Sequence, residues 1–119
     1  MRIRLGKYDK IWSKIVRQRD GRCRKAGCYK KEPEHVLNAH HIHPRGRKAT
    51  RFLLDNGITL CFSHHIGTDD SAHRRGKEFV IDIIGLKEWK RLEKLSHEYK
   101  TEKQAIKDFE SIIMKYQNL

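Results

Sequence analysis

Ala39-His40-His41-Ile42-His43-Pro44 and, after a basic loop, Asp55-Asn56-Gly57-Ile58-Thr59-Leu60-Cys61-Phe62-Ser63-His64-His65 are the stretches that decide how this chain is read. A neutral imidazole is both a metal ligand and a base at physiological pH. One His-His pair carries little information. Here an asparagine follows His41 after fifteen residues, and a second His-His pair ends nine residues after that. Cys23 and Cys28 lie upstream, and Cys61 lies on the far side of the first pair.

The 119 residues suffice for a single domain, 1–119, with a modest core and reason to use a metal staple. Apolar residues make up 37% and the mean hydropathy is −0.84, so much of the chain is surface. No apolar run reaches the length of a membrane span, and Met1-Arg2-Ile3-Arg4-Leu5 lacks the apolar core of a signal peptide. The expectation is a cytoplasmic protein with no membrane partner. The net charge of +12 favours a polyanion. Residues 1–31 carry twelve Lys or Arg against Asp9 and Asp20, whereas the tail from Leu86 is nearly balanced. The N-terminal two-thirds are therefore expected to face phosphates. Three cysteines cannot all pair within one chain, which argues against a disulfide framework.

Tyr8, Ile11, Trp12, Ile15 and Val16 fall at helical spacing, predicting a helix from Tyr8 to Asp20 stopped by Gly21, with Lys10, Lys14, Arg17 and Arg19 on its outer surface. Val36 to Ile42 reads as a strand ended by Pro44. Asp55-Asn56-Gly57 is a turn or hairpin signal leading into a strand at Ile58-Thr59-Leu60. A helix from Phe62 should present His64, His65 and Asp69 inward. Phe79, Val80, Ile83 and Ile84 suit a buried helix, although their β-branching leaves a strand open, and Gly85 ends the element. Leu86, Trp89, Leu92, Leu95 and Tyr99 predict an amphipathic helix. Thr101-Glu102-Lys103-Gln104 fits a capping box opening a last helix with Ile106, Phe109, Ile113 and Tyr116 on one side.

Cys23, Cys28, Cys61 and His64 form two close pairs with the spacing of a structural zinc site. Such a Cys3His site would tie the N-terminal helix to the centre and contribute directly to folding. His65, beside His64, can trade roles with it. The bland alternative is a set of buried free thiols.

The second constellation is His40, His41, Asn56 and His65. With His-His-Ile-x-Pro, Asn-Gly-Ile-x-Leu-Cys and the final adjacent pair in order, the segment from Arg19 to Asp69 resembles the HNH endonuclease superfamily, the ββα-metal fold. The resemblance implies a zinc-stabilised ββα-metal core over 23–72 with its zinc knuckle. With the helices read from periodicity, the expectation is an α+β fold with an N-terminal basic helix over 1–22 and two to three C-terminal helices over 77–119. By position the resemblance gives His40 and His65 as ligands of one catalytic divalent ion, Mg2+ or Mn2+ ahead of other transition metals, and His41 as the general base. Asn56 would brace the loop and orient that base. Asp69 would be an additional ligand or bond a metal-bound water, with His73 a weaker candidate. Family members often carry Cys at the place of His64. Adjacent strand residues point to opposite faces, so His40 and His41 can share a site only at a bend or strand end.

Phosphodiester hydrolysis independently calls for these residue types. Water must lose a proton, and charge must be stabilised on the phosphate and the departing 3′-oxygen. Arg45, Arg47, Lys48 and Arg51 in the basic loop, with Arg74 and Arg75, are the candidate DNA phosphate contacts. The plainer alternatives are extra zinc ligands for His40 and His41, a turn role for Asn56, and solvated or packing histidines at His35, His43 and His97. The leading expectation is a metal-dependent HNH DNA endonuclease leaving 5′-phosphate and 3′-hydroxyl ends. The alternative is a zinc-stabilised DNA-binding module without cleavage, and a third reading directs the cleavage to RNA. Phe79 to Leu95, through Ile84-Gly85-Leu86-Lys87-Glu88-Trp89, also resembles the tail of NinG-like recombination nucleases of lambda-type phages. That likeness implies a phage-infected or bacterial cell and branched or flapped DNA.

Overall fold

The computed structural model describes residues 5–68 and 74–117. Among them are five α-helices and one two-stranded antiparallel sheet, an α+β architecture. In chain order these are α1 (Leu5–Asp20), β1 (Leu37–His41), β2 (Gly57–Cys61), α2 (Phe62–Thr68), α3 (Arg74–Ile84), α4 (Leu86–Ser96) and α5 (Glu102–Gln117). The strands pair from Leu37 opposite Cys61 to His41 opposite Gly57. No helix among the described residues is long and apolar enough to cross a membrane.

Strand alternation sorts the packing. Ile58 and Leu60 of β2 join the core cluster that contains Cys23, Cys28, Val80 of α3 and Leu92 of α4. Gly57 and Thr59 meet α1 instead. A Cβ on Gly57 would lie 2.5 Å from the Trp12 ring and 2.9 Å from Val16, so only glycine lets the indole lie on the sheet. A second cluster joins Trp12, Ile15 and Val16 of α1 to Phe52 and to Ala105, Ile106 and Phe109 of α5. Phe52 stacks on Phe109 at 5.2 Å between ring centroids.

The outer edge of β2 would expose unpaired backbone groups. The end of α1 and the chain just beyond it cover that edge. Asp20 accepts from the Thr59 amide at 2.9 Å, Arg24 donates its amide to the Thr59 carbonyl at 2.8 Å, and Arg19 donates to the Gly57 carbonyl at 2.7 Å. Arg19, expected on the solvated surface, is therefore a clasp between helix and sheet.

Several local expectations change. Asp55-Asn56-Gly57 is not a two-residue hairpin: a loop over 42–56 joins the strands and closes on the 3₁₀ turn Leu54–Asn56. Helix α4 stops at Ser96, whose hydroxyl donates back to the Glu93 carbonyl at 2.6 Å. Tyr99, placed by periodicity in that helix, is 90% exposed beyond its end. The Phe79–Ile84 stretch is helical, within α3. Thr101 and Gln104 form the reciprocal capping bonds at 3.1 and 3.2 Å before α5. Ile106 and Phe109 are buried on that helix, whereas Tyr116 is exposed.

Candidate metal centre and active-site cleft

The residues after α1 make a knuckle. Gly21 and Gly27 take positive φ, and main-chain bonds join Cys23 to Lys30 at 3.0 Å and Cys28 to Lys25 at 2.9 Å. Cys61 ends β2, and His64 stands three residues on in α2, the spacing that puts both on one side of the strand–helix junction. Cys23, Cys28, Cys61 and His64 thereby bring four ligand atoms within 4.8 Å of one another. His64 Nδ1 lies 3.4 Å from Cys23 Sγ and 3.2 Å from Cys61 Sγ. Zinc bonds of about 2.3 Å to sulfur and about 2.0 Å to nitrogen give a tetrahedral S···N edge of roughly 3.5 Å. The donor set and the spacing therefore fit a zinc ion. The three cysteines are buried and free of disulfides. Burial pushes the Cys23 thiol up to about 11. Cys61 is buried too, yet hydrogen bonds from the His64 amide and the neighbouring thiols hold it below the ordinary thiol value. A metal entering here must displace protons.

His65 is not part of that cluster. Its ring stands edge-on to His40 with centroids 5.5 Å apart. Two imidazoles on one ion place their centroids roughly 5 Å apart when each metal–nitrogen bond is about 2.1 Å. The separation is that of an ordinary edge-to-face ring contact and is also compatible with two ligands on one ion. The question of which histidine joins the cysteines is settled geometrically: His64 meets them, and His65 meets His40. Asp69 and His73 lie outside the described residues.

His41 is the last residue of β1, on the opposite strand face from His40. Both nevertheless line one cleft of about 400 Å3, which wraps the strand end and includes His65, Pro44, Arg45, Asp9, Trp12 and Ser13. The His41 ring lies flat on the Trp12 indole, 3.9 Å between centroids and 10° between planes. Its Nε2 is 3.0 Å from the Arg51 carbonyl oxygen. A carbonyl only accepts, so the bond places the proton on Nε2 and leaves Nδ1 with its lone pair. Burial lowers the His41 pKa to about 4, against the opposing pull of the Arg51 carbonyl. The ring is therefore neutral at physiological pH.

Asn56 is fully buried. Its Oδ1 accepts from the His43 amide at 2.9 Å and its Nδ2 donates to the His43 carbonyl at 3.1 Å. It clamps the loop two residues beyond His41. The His41 ring bond goes to the Arg51 carbonyl, and the side-chain bonds of Asn56 go to the His43 backbone. His43 is buried against Trp89, with ring centroids 5.0 Å apart, as a packing histidine.

The basic candidates separate. Arg45 is exposed at the cleft. Lys48 is exposed with a long 3.9 Å pairing to Glu102. Arg47 donates to the Ser96 hydroxyl at 2.9 Å and meets the His97 ring. Arg51 is bound bidentately to Asp9, at 2.7 and 3.2 Å, so its guanidinium is committed within the fold. Arg74 and Arg75 open α3.

Asp9, Trp12 and Ser13 were missed as cleft residues. Trp12 was legible only as one member of an apolar stripe, and Asp9 only as an acid in a basic stretch. Neither signal says that α1 passes the strand end. No family model, curated protein or solved structure matches the chain.

Proposed function

We propose that this chain is a metal-dependent endonuclease of the HNH type that hydrolyses DNA phosphodiester bonds. The observation carrying the reading is the His41 imidazole, tied through Nε2 to a carbonyl with Nδ1 left as acceptor, in the same cleft as the His40–His65 pair. In this role His41 Nδ1 accepts the proton of the attacking water. His40 and His65 would hold the divalent ion, which when bound supplies positive charge to the phosphate and the leaving 3′-oxygen. Arg45, at the cleft mouth, contacts a phosphate, and Asn56 keeps the loop closed so that the base stays at the strand end. Cys23, Cys28, Cys61 and His64 hold structural zinc and take no part in the chemistry.

The test is nicking of supercoiled plasmid in Mg2+, Mn2+ or EDTA by the wild type and by His41→Ala. Metal-dependent nicking by the wild type that disappears in the variant is expected. A wild type that retards DNA in a gel but nicks it with neither metal would instead be a zinc-stabilised DNA-binding module. Matched RNA substrates separate the remaining alternative, because preferential cleavage of RNA would overturn the assignment to DNA.

A further inference from the structure

The acceptor that orients His41 is a main-chain carbonyl in a long loop, which is a poor place from which to hold a reactive ring unless the loop is itself held. The turn from Arg47 to Arg51 closes on itself through the Arg51 amide, which donates to the Arg47 carbonyl at 3.1 Å. The turn is held to the rest of the molecule through Arg47, which reaches Ser96 and His97, and, at the residue whose carbonyl meets His41, through the Arg51 side chain. Nε and Nη2 donate to the two carboxylate oxygens of Asp9, and both side chains are less than 20% exposed. Asp9 precedes Trp12 by three residues on α1, and the Trp12 indole covers the face of the same imidazole. Helix α1 thus reaches the ring twice, once by direct stacking and once through a forked ion pair and the carbonyl behind it.

We propose that Asp9 and Arg51 are a positioning pair for His41. The fork fixes the Arg51 carbonyl, and the carbonyl fixes the tautomer and direction of the imidazole. A bidentate guanidinium–carboxylate pair sets geometry in a way a single contact does not. The inference rests on His41 being the general base. It also gives Arg51 a role other than phosphate contact, since Nε and Nη2 of its guanidinium already face Asp9.

The test is a double-mutant cycle with Asp9→Asn, Arg51→Gln and the two combined, on zinc-loaded protein. Nicking is measured as kcat and KM across a salt series, and the His41 ring nitrogens are read by NMR without added divalent ion. Each single variant is expected to lose ten- to a hundredfold in kcat, the range for removing a group that orients a site residue. KM should stay near wild type, and the double variant should be no slower than the slower single. The Nε2–H signal of the wild type should give way to mixed tautomers in all three. Independent, additive losses would overturn the pairing. So would an Arg51→Gln phenotype confined to KM with a salt slope reduced by about one, the mark of a lost phosphate contact. Should Asp9→Asn fail to fold, Arg51→Lys decides: it keeps the charge but not the fork, and wild-type kcat with a wild-type nitrogen spectrum would end the proposal. If the wild type nicks nothing, the endonuclease reading fails. The nitrogen spectra of the variants then still decide whether the pair holds the ring.

Discussion

The cysteine cluster and the histidine cleft sit at the two ends of the same short strand pair, and they are built on opposite plans. The cluster is closed: three buried thiols and one imidazole turn inward, with ligand atoms within 4.8 Å of one another. The cleft is open, about 400 Å3 of space around a strand end. Its histidines come from β1 and α2, and its supports come from α1 and a loop carbonyl. A closed set of donors can hold an ion and do little else, whereas an open one has room for a substrate oxygen. The difference predicts that stability follows the first region and chemistry the second.

The largest effect should come from the closed cluster. Cys23→Ser, or a strong chelator, removes an ion whose binding in small zinc domains is worth on the order of 10 kcal/mol. The expected outcome is loss of bound zinc, followed by loss of a cooperative thermal transition in circular dichroism. Unchanged zinc content in Cys23→Ser would dissolve the contrast, because the cluster would then not be the staple. The reciprocal experiment sharpens it. His41→Ala should keep zinc content and stay folded, while nicking falls by about a hundredfold or more, the usual scale for a lost general base.

How far each region was legible follows from how each is assembled. The cluster was readable because its ligands come as two short pairs, Cys23 with Cys28 and Cys61 with His64, and close spacing is itself the geometric signal. The order of two strands and a helix could be read from His41, Pro44, Asn56 and Gly57, since proline and glycine punctuate the backbone. The choice between His64 and His65 needed the fold, because neighbouring helix residues point about 100° apart and sequence does not say which one faces the cysteines. The supports of His41 could not be read at all. One is a main-chain carbonyl, which every residue possesses, and the other is an indole that periodicity assigns simply to a core. Tyr99 misled for the opposite reason: an aromatic at helical spacing continues a pattern that the Ser96 back-bond has already ended.

Two changes of intermediate size probe the walls between the regions. Asn56→Ala leaves the buried amide and carbonyl of His43 without their side-chain partners. At about 1–3 kcal/mol per stranded group, urea unfolding should shift by roughly that amount or somewhat more. Zinc content should be untouched. Gly57→Ala drives a methyl into Trp12 and Val16, an overpacking cost of about 1–3 kcal/mol. Because the displaced indole is also the stacking partner of His41, this substitution should impair nicking beyond its effect on stability. If nicking is unchanged in protein shown to be folded, Trp12 contributes packing alone.

The smallest effect concerns acid. His43 is buried against Trp89, and burial lowers its pKa below the ordinary histidine value despite the Trp89 carbonyl 3.4 Å from its Nε2. The unfolded chain takes up this proton near pH 6.5, while the folded chain resists until a lower pH. Between those points the unfolded state binds more protons, so stability falls as the pH drops through this window. His41, whose pKa burial also lowers, and the cysteine cluster respond to acid as well, and a single titration of the wild type would mix these sources. His43→Phe separates them, since it keeps an aromatic ring beside Trp89 and leaves the cysteine cluster intact. Urea midpoints taken at about pH 7.5 and about pH 5.5 should show a shallower acid loss in the variant than in the wild type. Equal losses would place the whole acid sensitivity in other groups, the closed cluster first among them, and would leave His43 a packing residue whose proton never counts.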